Sequence, residues 1–155
     1  MITASNNNPD IEMVGLNSNE KPYPVVKTPQ DEVLGLFSPN NKYLGYMVEE
    51  SNIRNLFIRR LDESGGKWQI SNSGIKGYTW SRDGKEIFYI NNEWEIISVP
   101  INYSSGLDIG TPQKLFTHRI SFSDEIGLRR FDITPDGQKF LMVSALDKED
   151  AQEFN

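Results

Sequence analysis

The sequence of 155 residues contains no cysteine and only one histidine, His118. Without cysteine, disulfides, thiolate catalysis and cysteine-ligated metal sites are excluded. One histidine cannot form a multi-histidine metal site, and no Gly-x-Ser-x-Gly elbow is present to place a serine nucleophile. No EF-hand, dinucleotide-binding or Walker phosphate-loop motif occurs. We therefore predict no catalytic residue, no cofactor, no metal and no enzymatic activity.

Clustered positive charge and long apolar runs are also scarce. The net charge is −6 and the pI is about 4.8, which disfavours a nucleic-acid partner. The arginine pairs Arg59-Arg60 and Arg129-Arg130 are isolated, and we predict that they lie half exposed on strands. No apolar run approaches the ~18 residues that span a bilayer. The first residues lack the pattern of a secretory signal, so a cytoplasmic location is predicted. A periplasmic location stays open if the sequence is a piece of a longer protein.

A five-residue hairpin turn occurs three times in the sequence. The copies are SPNNK at 38–42, SRDGK at 81–85 and TPDGQ at 134–138. The Asp or Asn at the third position accepts backbone N–H bonds inside such a turn, and the fourth position requires a positive φ, which Gly and Asn tolerate. The acidic residues Asp83 and Asp136 are therefore interpreted as turn formers and not as calcium ligands.

Similar strands follow each copy of the turn. Aromatic residues make up 11% of the chain, which favours strands over helices. The runs directly after the turns are apolar on both faces, which is typical of strands buried between sheets. In the first two copies, this apolar strand is followed by two more predicted strands, which are the third and fourth of the repeated unit. The predicted strands are 43–48, 55–61 and 68–71 in the first copy, 87–90, 94–101 and 113–116 in the second, and 140–143 in the third.

The repeated unit thus has four antiparallel strands in about 43 residues, which is the spacing of β-propeller blades. The stretches FSPNNKYLGY, WSRDGKEIFY and FDITPDGQKFLMV, with GGKWQIS and IGTPQKLF, resemble the TolB-like, WD-repeat-like module of bacterial six-bladed propellers. The resemblance covers about residues 22–144. It implies an all-β fold, a partial β-propeller of four-stranded antiparallel blades.

The composition of the terminal segments and the resemblance together define the expected domains and assembly. Residues 1–20 are predicted to be a disordered arm, 21–146 the partial propeller and 147–155 a polar tail. The blades are placed at about 33–72, 76–117 and 128–146, the last with the edge strand 22–28. Because two and a half to three blades do not complete a ring of six, we expect a homo-oligomer, with a dimer favoured. A strained three-blade fold and a fragment of a longer protein are the alternatives.

We predict a non-catalytic scaffold or binding module for a protein or peptide, with no membrane span. The inserted loop 117–130 is the predicted contact site, although a tolerated insertion explains it equally well. Two alternatives remain open. One is a detached propeller that gates substrate entry in a bacterial peptidase or hydrolase, and the other is a sensor part of a kinase or transcription regulator. The predicted contact residues are His118, Arg119, Phe122, Asp124, Glu125 and Arg129.

Overall fold

The computed structural model describes residues 8–16, 21–62, 65–104, 106–119 and 131–143. Within these ranges the protein is all-β, with thirteen strands and no helix. All described strand pairs are antiparallel. No helix in the described ranges is long and apolar enough to cross a membrane. The chain divides into two compact units, Met1–Lys76 and Gly77–Asn155.

The first unit contains a two-stranded sheet and a four-stranded sheet. Strands β1 and β2 pair with each other, and the larger sheet has the order β3-β4-β5-β6. Tyr43–Val48 in β4 is buried at every position, as its apolar sequence predicts. Leu44, Tyr46 and Val48 form a core cluster with Val26 of β2. The strands are β1 Ile11–Met13, β2 Tyr23–Val26, β3 Asp31–Phe37, β4 Tyr43–Glu50, β5 Ile53–Arg60 and β6 Lys67–Gln69.

The second unit is organised around one long strand, β9. One edge of β9 pairs with β8, and the other pairs with both β10 and β11. Strands β12 and β13 form a separate pair, and Phe140 of β13 packs edge-on to Phe88 at 5.3 Å between ring centroids. The strands are β7 Ile75–Trp80, which begins just before the boundary of the units, β8 Glu86–Asn91, β9 Glu95–Asn102, β10 Asp108–Ile109, β11 Gln113–Thr117, β12 Phe131–Ile133 and β13 Phe140–Met142.

The three predicted turns have the same geometry, which confirms the sequence interpretation. In the second copy the Ser81 hydroxyl accepts a hydrogen bond from the Glu86 amide at 3.0 Å, and Asp83 accepts one from the Lys85 amide at 3.0 Å. The first and third copies repeat this pattern. The fourth position has a positive φ in each copy: 56° at Asn41, 72° at Gly84 and 72° at Gly137.

The predicted strands are confirmed, but their arrangement as a propeller is not. Each sheet in the described residues is open, and no sheet closes into a propeller. The partial propeller of four-stranded blades is thus not confirmed, because a hairpin turn and an apolar strand specify a local sheet but not how successive sheets are arranged. In addition, Ile11–Met13 forms β1, although it lies in the segment predicted to be a disordered arm.

Candidate functional site

The predicted contact loop is described only at its start. The His118 amide donates a hydrogen bond to the Trp94 carbonyl at 3.0 Å, and the Arg119 guanidinium lies 5.9 Å from the centroid of the Trp94 ring. Both residues therefore contact Trp94, which directly precedes β9. The other predicted contact residues lie outside the described residues, so the contact site stays a prediction. They are Phe122, Asp124, Glu125 and Arg129.

An open depression of about 510 Å³ lies beside His118 in the second unit. Its walls are mainly apolar, with the rings of Phe116 and Phe140 in an edge-on contact at 5.5 Å. Among the described residues no carboxylate lines it, so the described lining offers mainly apolar contact. The described residues also contain no group of three or more side chains suited to hold a metal ion. The lining residues are Phe116, His118, Gln138, Phe140, Leu141 and Met142.

A second cavity, in the first unit, has a different chemistry. It has a volume of about 240 Å³, and three of its seven lining residues carry a positive charge. Lys27 follows β2 directly, Arg59 belongs to β5, and Lys67 begins β6. We call this cavity the cationic pocket. Its lining residues are Val26, Lys27, Thr28, Tyr46, Arg59, Gly66 and Lys67.

The antiparallel register of β5 and β6 places Arg59 directly opposite Lys67. Directly opposed residues share a face of the sheet, and like charges there destabilise the pair. Each of these two side chains has one other contact, with a carbonyl group or an aromatic ring. Arg59 Nη1 donates a hydrogen bond to the Val25 carbonyl, and Lys67 Nζ lies 4.3 Å from the centroid of the Phe57 ring. In the described part of the chain neither Arg59 nor Lys67 has a carboxylate within ion-pair distance.

The third cation of the pocket is ion-paired. Lys27 Nζ lies 3.0 Å from Asp10 Oδ2, and this hydrogen bond with the carboxylate raises the pKa of Lys27. Lys27 therefore remains protonated throughout the neutral range. The pocket thus combines one compensated cation with two cations that lack a carboxylate partner among the described residues, which is an arrangement that attracts an anion.

Tyr46 adds a hydrogen-bond donor to the pocket. The residue is 1% exposed, and its burial raises the pKa of the phenol to about 12, although Arg59 lowers that pKa in part. The hydroxyl is therefore protonated at neutral pH. The Tyr46 ring stacks on Phe57 with 6.0 Å between centroids, which ties its position to the ring that also contacts Lys67.

A buried carboxylate lies behind the wall of the pocket. Glu32 is 2% exposed and accepts hydrogen bonds from the backbone amide of Thr28 at 3.4 Å and from the Thr28 hydroxyl. Since Thr28 lines the pocket and Glu32 does not, the carboxylate orients a wall residue and is not itself presented to a ligand.

Sequence reasoning did not find the cationic pocket. It treated Arg59-Arg60 as an isolated pair, and both side chains are indeed half-buried. The structure separates their roles, because Arg60 Nε pairs with Asp62 at 2.6 Å whereas Arg59 faces Lys67. The available signal was the pair of predicted strands 55–61 and 68–71, but their register was needed to place Arg59 opposite Lys67.

Comparison with known proteins gives one structural match. No protein-family model matches the chain, and no curated protein sequence matches it. The chain is similar to a crystal structure from Bacteroides uniformis ATCC 8492, of a protein proposed to be a 6-phosphogluconolactonase, with a TM-score of 0.51 and 21% identity. The match covers 86% of this chain and 40% of the other. At this identity the likeness concerns the fold, of which this chain spans less than half.

This comparison overturns three predictions. The assignment to the TolB-like propeller family is wrong, because the matched structure is a 6-phosphogluconolactonase-like protein and no family model matches. The non-catalytic binding or scaffold module and the absence of enzymatic activity are wrong as well, because the matched protein is proposed to be an enzyme. The repeated turn led to these errors because its sequence is dictated by backbone geometry, which many unrelated sheets share.

Proposed function

We propose that this chain acts in the hydrolysis of a phosphorylated sugar lactone, the reaction for which its structural neighbour is named, and that the cationic pocket holds the substrate phosphate. The observation that carries this proposal is Arg59 facing Lys67 across β5 and β6 with no carboxylate partner in the described residues. The fold likeness supports the class of reaction. The positive charge of the cationic pocket supports a negatively charged substrate.

The chemistry of the pocket matches a phosphate monoester. Arginine binds phosphate through two parallel N–H bonds, and lysine adds a point charge. The protonated Tyr46 hydroxyl is a further donor on the same wall. A bound phosphate also removes the repulsion between Arg59 and Lys67, so binding and local stability are coupled.

Lactone hydrolysis adds water to the carbonyl carbon and breaks the ring C–O bond. The ring oxygen takes up a proton and leaves as a hydroxyl, and a carboxylic acid forms, which releases a proton at neutral pH. In this scheme the cationic pocket acts through binding and orientation. Glu32 acts only as a positioning residue for Thr28, because its burial separates it from the ligand.

The test measures hydrolysis and binding with one matched pair of variants. Proton release is followed with 6-phosphogluconolactone and with unphosphorylated gluconolactone, and binding of the stable product 6-phosphogluconate is measured by calorimetry. Arg59→Gln is expected to weaken product binding about 10- to 100-fold, because a hydrogen bond to a charged group contributes about 1.5–3 kcal/mol. Arg60→Gln, the adjacent residue that lies outside the pocket lining, is expected to leave binding unchanged.

Each of three results would contradict the proposal. The first is equal turnover of the phosphorylated and unphosphorylated lactones, and the second is no turnover of either. The third is an equal loss of affinity in the two arginine variants, which would assign the effect to net charge and not to the pocket.

We also propose that the chain associates with a second copy, as its sequence predicts. The support comes from the two-stranded sheets β1-β2 and β12-β13, which contain half as many strands as the sheet β3-β4-β5-β6.

A further inference from the structure

We propose that β13 of one copy pairs antiparallel with β1 of a second copy, so that β12-β13 of the first and β1-β2 of the second form one four-stranded sheet. This inference concerns an interface that is separate from the cationic pocket, since neither β1 nor β13 lines that pocket. The edge of β13 is thus occupied by β1 of another copy, and the edge of β1 by β13 of another copy.

The complete sheet of the first unit supplies the template. Its first two strands, β3 and β4, are joined by the turn at 38–42, and the same turn joins β12 and β13 at 134–138. Its last two strands, β5 and β6, form an antiparallel pair, as do β1 and β2. The central contact between β4 and β5 contains eight residue pairs. In the sheet formed by two copies, the contact between β13 and β1 would be equivalent to this central contact.

The two strands present matching edges and matching faces. Among the described residues β13 pairs only with β12, and β1 pairs only with β2. Both strands are three residues long, and in both the outer two residues are partly buried while the middle residue is exposed. Pairing would therefore place the partly buried side chains of both strands on one face, as period-two alternation requires.

The register follows from the template. The central residue of the β5–β6 ladder, Ile58, pairs with Gly45 of β4. Gly45 lies seven positions after Ser38, and the residue seven positions after Thr134 is Leu141. The central residue of the β1–β2 ladder is Glu12. The expected cross-strand pair between two copies is therefore Glu12 with Leu141, on the exposed face.

Exposed apolar side chains at these edges support association. Leu141 is 73% exposed, and Val143, just beyond β13, is 52% exposed. Val14, just beyond β1, is 60% exposed. An unpaired strand edge with apolar side chains is a template for pairing with another chain. Because each copy has a net charge of −6, association is expected to strengthen with ionic strength.

Single cysteine variants test the interface directly, because the sequence contains no cysteine. Glu12→Cys and Leu141→Cys are purified separately, mixed in equal amounts and oxidised mildly. The mixture is expected to form at least about fivefold more disulfide-linked dimer than either variant alone, since only the mixture contains the facing pair. Lys42→Cys, which lies in an exposed turn of the first unit, replaces Glu12→Cys as the control and is expected to give no enrichment with Leu141→Cys.

Two further measurements make the outcome decisive. Light scattering of the unmodified chain is expected to give a mass that rises from one copy towards two with concentration, and more readily in salt. A monomer over the whole concentration range would overturn the proposal. So would a double variant, Glu12→Cys with Leu141→Cys, that oxidises within one chain to a product of monomeric mass. Neither result depends on phosphate binding at Arg59, so failure of the interface and failure of the proposed activity are distinguishable.

Discussion

The three copies of the hairpin turn allow one interaction to be removed in different environments. In the first copy the Ser38 hydroxyl accepts the hydrogen bond of the Tyr43 amide at 3.0 Å, and the two residues are 1% and 4% exposed. In the third copy Thr134 accepts from the Lys139 amide at the same distance, but Lys139 is exposed. Ser38→Ala and Thr134→Ala remove the hydroxyl acceptor from both copies, and Thr134→Ala also removes a methyl group.

The expected costs differ because Tyr43 is buried whereas Lys139 is exposed. Leaving the buried Tyr43 amide without an acceptor costs about 1–3 kcal/mol in the free energy of unfolding, since the full desolvation penalty remains. Water replaces the lost hydroxyl at Lys139, so Thr134→Ala should cost about 0.5 kcal/mol. With a urea m-value of about 2 kcal/mol/M, a 2 kcal/mol loss lowers the midpoint for Ser38→Ala by about 1 M.

Urea unfolding followed by tryptophan fluorescence measures this difference. Trp68 is the only tryptophan of the first unit, and its ring lies 6.2 Å from that of Tyr43, so its emission reports the Ser38 variant. An unchanged m-value is required for the comparison. A loss for Thr134→Ala equal to or greater than that for Ser38→Ala would refute the reasoning, because burial would then not determine the cost of the missing acceptor.

Three further predictions concern single positions. Gly137→Ala should cost about 1–2 kcal/mol in unfolding free energy, because φ is 72° there and no atom lies within 4 Å of an added Cβ, so the backbone alone opposes it; a neutral result in urea unfolding would contradict this. Gly66→Ala should cost about 1–3 kcal/mol, because φ is 122° and the added Cβ would lie 2.4 Å from Trp68 Cη2, and thermal unfolding measures it. The pKa of Asp83 is lowered mainly by the hydrogen bond from the Lys85 amide. The ionised Asp83 therefore contributes to the free energy of unfolding above the unfolded pKa of about 3.9, and this contribution is lost as the pH falls through the folded pKa. Asp83→Asn, the type of residue used at Asn40, should fold and show less loss of stability between about pH 4 and pH 2 in urea titrations; an unchanged acid dependence would contradict this assignment.

The strands and turns were predictable because local sequence determines them. Asn41, Gly84 and Gly137 occur where the backbone needs a positive φ, and the runs after them are apolar at successive positions. Strand β1 was not predicted, since three residues, Ile11–Met13, carry too little pattern to be distinguished from a polar arm. The predicted arrangement of successive sheets as propeller blades is not confirmed, because a repeated turn contains no information about the surface on which the next sheet packs.

The candidate site was not predictable in the same way. Arg59 and Lys67 are separated by a loop, and their opposition depends on the exact register of β5 and β6. A shift of one residue would place the two charges on opposite faces of the sheet. The charge of Lys27 is likewise understood only with its contact to Asp10, which the sequence places in a different segment. The cytoplasmic location and the contact loop around His118 stay predictions.

The position of β9 has a consequence for local opening in the second unit. Because β8 pairs with one edge of β9 and β11 with the other, the β9 amide groups that face β8 should exchange with deuterated solvent more slowly than those that face β11. Strand β11 is exposed at all five positions and pairs with β9 along one edge, so it can detach and reattach while β8 and β9 stay together. Slow isotope exchange at alternate residues of Ile96–Val99, with rapid exchange at the residues between them and in Gln113–Thr117, would show that this unit opens first at its β11 edge.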